Sequence, residues 1–196
     1  ENKSLLTNKK YLYYLLVYAL FAGVASASNT FVPAMFTHDG LDTSLTSTIL
    51  SIAVLFETPI VFFAGKFMDK LTSKTLGLIA FSMIFVQMLA YGLDVNMGSK
   101  IVITLLAKHP AGMLFIMINL KIVASLVSPK QQLTALAIVA TIKNLSSIFF
   151  NDLAGNMIDS FGFSDTFFVM ALVMIVTIVL YIVFRLPKGT DHKMFS

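Results

Sequence analysis

Four residues with useful side-chain chemistry interrupt stretches that are otherwise almost wholly apolar: Glu57, Lys108 with its neighbour His109, and Lys143. A carboxylate and an imidazole can both take and release protons near neutral pH, and a nearby ammonium changes how tightly a carboxylate holds its proton. An isolated charge in such surroundings costs about 3 kcal/mol or more, so these groups are expected to pair with one another or to line water. Amide and hydroxyl residues recur on the same stretches, and Asn29, Asn119, Asn144, Ser147 and Asn151 are the candidates for a polar cavity beside the charges. Bond-making chemistry has no comparable signature. There is no His-Glu-x-x-His, no Gly-x-Ser-x-Gly and no nucleotide-binding loop, so neither an enzyme nor a nucleotide-driven pump is expected. With no cysteine, a thiolate metal centre and a disulfide scaffold are excluded, and no metal or cofactor is expected.

What positions these residues follows from composition. Of 196 residues, 57% are hydrophobic and 12% charged, where a soluble domain carries about 25% charge. Apolar runs of roughly 20 residues, long enough to cross a bilayer, recur along the whole chain. Six are counted, at approximately 11–37, 45–66, 75–93, 100–127, 132–155 and 166–186. The class is therefore all-α, a polytopic membrane protein of six transmembrane helices, with 1–10 as a cytoplasmic linker and 187–196 as a cytoplasmic tail. Lys3, Lys9, Lys10, Lys66, Lys70, Lys74, Lys130, Arg185, Lys188 and Lys193 fall on one side and Lys100 alone on the other. Basic residues in short loops stay on the cytoplasmic side, so both termini are expected there. The net charge of +4 is thereby a topology signal, with no nucleic-acid partner implied. On this topology Glu57, Lys143 and Lys108 lie at depths of about 13, 16 and 18 Å from the cytoplasmic surface. Glu57 is expected to pair with Lys143 or Lys108, while Lys121 snorkels to the interface. Pro110 and Gly112, beside His109, are expected to kink or unwind the fourth span.

The chain also repeats itself. Gly65-x-x-x-Asp69 closes the second span and Gly155-x-x-x-Asp159 the fifth, equivalent points of two three-helix groups. An odd number of spans per group inverts the second copy, the architecture typical of secondary transporters. Spans three and six carry few polar residues and are expected to face lipid, screening the four polar spans.

These residues resemble the C-terminal six-helix half of a major facilitator superfamily transporter over essentially the full length. Gly65 to Lys74 is similar to that superfamily's cytoplasmic Gly-x-x-x-Asp-Arg loop, with Lys70 standing where arginine is usual, and the resemblance implies a gating role for Gly65, Asp69, Lys70, Gly155 and Asp159. Leu153-Ala154-Gly155-Asn156-Met157 followed by Ser160-Phe161-Gly162-Phe163 is similar to the lactose permease family, in which Lys143 matches a helix lysine and His109 a histidine at the sugar and proton site. The chain departs from that family at Gly112, where it has glutamate, at Gln87, where it has arginine, and in the first span, which has no aspartate to face Lys143. Glu57-Thr58-Pro59 followed by Ala64-Gly65 looks like a stretch of the sugar efflux transporters.

The resemblance implies proton-coupled transport of a small polar solute, a sugar or oligosaccharide, by symport or efflux antiport across a cell membrane. Nucleosides or drugs are the alternative substrates. Glu57, Lys143, Lys108 and His109 are expected to carry the coupling. Since the chain begins at Glu1 on a linker-like stretch, a fragment is expected, its partner an N-terminal six-helix half on the same chain or a separate subunit. The competing class is a structural or regulatory membrane subunit whose buried charges serve only assembly.

Overall fold

The computed structural model describes residues 2–186, and all regular structure among them is helical. Glu1, Lys188, Lys193 and the expected tail 187–196 lie outside the described residues. The helices are α1 (Asn2–Thr7), α2 (Lys9–His38), α3 (Thr43–Leu55), α4 (Glu57–Phe67), α5 (Ser73–Gly92), α6 (Met97–Leu126), α7 (Gln132–Phe161) and α8 (Phe163–Val183), with a 3-10 turn at Pro129–Gln131. Taking α3 and α4 together, six helical segments are long and apolar enough to cross a membrane. Their starts are set by polar residues at the breaks between apolar runs. The Asn8, Asp42, Thr72 and Asn96 side chains each accept a backbone N–H of the first turn, at 3.1, 3.0, 3.1 and 2.9 Å, satisfying donors that the helix itself leaves open.

Packing follows a two-fold swap. The first helix of each group of three lies against the middle helix of the other group, α2 on α7 and α6 on α3 and α4; each first helix also meets a third helix, α2 on α8 and α6 on α5, and the two third helices pack on one another. This is the arrangement a duplicated three-helix unit requires. The core sits where α2, α5, α6 and α8 meet, around Phe21, Phe81, Phe115 and Tyr181, with ring centroids 4.5 to 5.1 Å apart.

The structure changes four expectations. The fourth span is not unwound: α6 runs unbroken through Pro110. The discontinuity lies in the second span at Phe56, whose amide bonds the Ala53 carbonyl at 3.1 Å, tightening the last turn of α3. Pro59 has no N–H to give the Leu55 carbonyl four residues back, and α3 ends there. The fifth span extends beyond 155 to Phe161, through Asn156 and Asp159, and is stopped by Gly162 at φ 87; a glycine tolerates this left-handed backbone where other residues are strained. Spans three and six do not merely face lipid. In their most apolar stretches 44% of α5 and 39% of α8 is buried, against 17% for α3–α4 and 22% for α7. Close packing of α5 on α8 depends on glycine: a Cβ at Gly92 would lie 2.7 Å from the Phe168 Cα, and one at Gly77 2.4 Å from the Tyr181 hydroxyl. Finally, Lys121 does not snorkel into the open, being only 7% exposed.

Candidate functional site

A cavity of about 580 Å³ opens between α2, α4, α6 and α7, with Ile84 and Gln87 of α5 at its wall. Every member of the expected charge cluster lines it: Glu57, Lys108, His109 and Lys143. Glu57 does not pair with a lysine as expected. Its Oε1 lies 2.7 Å from His109 Nδ1, with both side chains about three-quarters covered. The break at Phe56 explains the difference, because it makes Glu57 the first residue of α4, where a carboxylate is favoured by the open amides of the helix start, and aims it across to α6. The contact makes a direct side-chain hydrogen bond between α4 and α6. Lys108 and Lys143 have no hydrogen-bond or ion-pair partner among the described residues.

The amides and hydroxyls divide. Asn29 and Asn119 line the cavity, the Asn119 side-chain oxygen accepting from the Tyr14 hydroxyl, which leaves the amide NH2 for other partners. Ser147 and Asn151 are not in the wall. They lock α7 to α2, with Ser26 hydrogen-bonded to Ser147 and Asn151 Nδ2 donating to Ser26 Oγ at 2.8 Å. Asn144 is exposed and also outside the wall. Gly65, Asp69, Lys70, Gly155 and Asp159 lie toward the helix ends, away from the cavity. Two further wall residues hold buried polar atoms without a partner, Ser28 Oγ and Gln87 Oε1. Gln87 Nε2 donates to the Tyr91 hydroxyl at 2.9 Å, and Tyr91 bonds Thr104 on α6, so the amide is held in place with its oxygen free. Spacing alone gave a hint: Gln87 and Tyr91 stand four apart on one helix face.

The segment 8–195 matches the model of the LacY proton/sugar symporter family. The chain belongs to the LacY proton/sugar symporter family. That is a family of membrane transporters, and the six spans agree with it. Compared individually with curated proteins, the chain matches none. The LacY-family assignment covers all of the cavity-lining helices, so the residues of the cavity belong to the matched segment.

Proposed function

We propose that the protein carries a sugar across the membrane together with a proton, by alternating access, with this six-helix unit as one side of the pathway. The observation carrying the reading is the 2.7 Å contact of Glu57 with His109, which joins α4 to α6 in the wall of a polar cavity. When Glu57 is ionised, its charge is held by the imidazole and α4 is tied to α6. A proton delivered to the pair weakens the charge-assisted bond and frees α4. Sugar hydroxyls are the natural partners for the amides of Asn29 and Asn119. The lysine distribution supports a cytoplasmic position for both termini, and the poorly buried α3–α4 and α7, which flank the cavity, support a second six-helix half as the facing wall, on the same chain or another.

The test is uptake in membrane vesicles from cells producing the protein. Glu57→Gln should abolish accumulation driven by a pH gradient while sparing sugar exchange across the membrane. Continued uphill accumulation by that variant would place the coupling elsewhere. Full transport by a Glu57→Ala, Lys143→Ala double variant would instead make these charges assembly elements.

A further inference from the structure

We propose that the sugar taken into this cavity bears a carboxylate, an acidic saccharide in place of a neutral one; this names the substrate class of the symport reading above and rests on it. The charge inventory of the wall leads there. Among the described residues, Glu57 is the only carboxylate lining the cavity, and one of its oxygens is already engaged by His109. Lys108 from α6 and Lys143 from α7 line the same space, and neither has an anionic partner among the described residues. The other described carboxylates are elsewhere: Asp39 and Asp94 hold Lys100, Asp42 caps α3, and Asp69, Asp152, Asp159 and Asp165 are outside the wall. Two ammonium groups on one cavity wall, with one carboxylate already shared, make that wall positively charged and favour entry of an anion.

The room and the remaining wall chemistry restrict the anion further. Gly112 stands one turn beyond His109 on α6, and a Cβ there would meet nothing within 4 Å, so the wall leaves open space beside the charges where a side chain could have stood. The exposed amide of Asn29, in the same wall, offers a carbonyl oxygen that calls for O–H groups on the ligand as well as a negative charge. A simple inorganic anion supplies the charge and no such donors. A neutral sugar supplies the donors and no charge. A sugar acid supplies both.

The experiment measures proton-driven uptake in vesicles from cells producing the protein, with galacturonate and digalacturonate set against galactose and lactose. The acidic sugars should be taken up about tenfold more efficiently than their neutral counterparts, the scale of one charge-assisted hydrogen bond. Lys143→Gln and Lys108→Gln should each bring that preference close to unity, and Lys143→Arg should restore it, which a merely structural lysine would not do. Preference for neutral sugars, with uptake still driven by the proton gradient, overturns the acidic-substrate inference and leaves the symport reading standing; it would mean that carboxylates from a facing half neutralise the lysines. Uptake of neither class under a proton gradient overturns both.

Discussion

At the scale of single residues, Glu57 and His109 are in direct contact, and the sequence points at both residues without pointing at that contact. Depth along a helix is readable from residue count, and it put Glu57, Lys108 and Lys143 near one level. Facing depends on the rotation of each helix and on where it breaks, and the break at Phe56 is what turns Glu57 toward His109. Opposite formal charge points Glu57 to the lysines of the cluster, whereas its facing toward His109, also in that cluster, depends on helix phase. Since the two side chains are in direct contact and each about three-quarters covered, the two should behave as one unit. In detergent, Glu57→Ala and His109→Ala should each lower thermal stability, with the double variant no worse than the more damaging single. Coupling of about 1–3 kcal/mol is expected from a thermal double-mutant cycle; additive losses would show that the contact is not formed.

Elements were legible to the extent that apolar run length fixes them. All six spans were found, and the capping residues Asp42, Thr72 and Asn96 lie in or beside the breaks where the sequence placed them. The end of the fifth was missed because α7 continues past its apolar part, through polar residues that hydrophobicity cannot count as helix, until Gly162 stops it. Pro110 and Pro59 show why proline alone does not locate a break. Pro110 is buried within a helix packed by α5, α3 and α4, which hold its course, whereas Pro59 lies in a sparsely buried segment with little to hold it straight. Gly155, singled out by repetition, is also not one of the glycines on which the helix packing turns. At Gly155 a Cβ would find a single neighbour, Phe31, at 3.4 Å, while at Gly92 it would strike Phe168 backbone. Gly92→Ala should therefore push α5 off α8 and cost about 1–3 kcal/mol, read as a fall in the thermal midpoint, whereas Gly112→Ala, with open space around it, should leave that midpoint within a degree or two, about the size of an ordinary surface change.

Across the whole molecule, the contacts define two ends. At one, Asn8 Nδ2 donates to the Leu126 carbonyl at 2.8 Å, and Lys74 Nζ donates to the carbonyls of Tyr181, Ile182 and Phe184, closing the C-terminus of α8. Lys74 thus holds a helix end in addition to counting as one of the basic residues of its side. At the other end, Lys100 joins Asp39 after α2 to Asp94 after α5, at 2.7 and 2.6 Å. The residue that looked like a lone exception to the charge asymmetry is the clasp of that face. Removing it leaves two carboxylates facing one another, so Lys100→Met should raise amide hydrogen exchange at the end of α2 and the start of α6 by about tenfold or more; unchanged exchange there would show that packing alone holds these ends. With α5 fastened at both of its ends, the unit has a stiff back formed by α5 and α8 and a jointed front formed by α3 and α4. The joint at Phe56 has a consequence for leverage. A pull on the Glu57 carboxylate is delivered to the 11 residues of α4 instead of to the whole second span, and the far end of α4 leads directly into Asp69 and Lys70. One short rod thus links the Glu57–His109 contact to the loop before α5, so that in the proposed mechanism a single charge would work a small flap while the rest of the fold stays still.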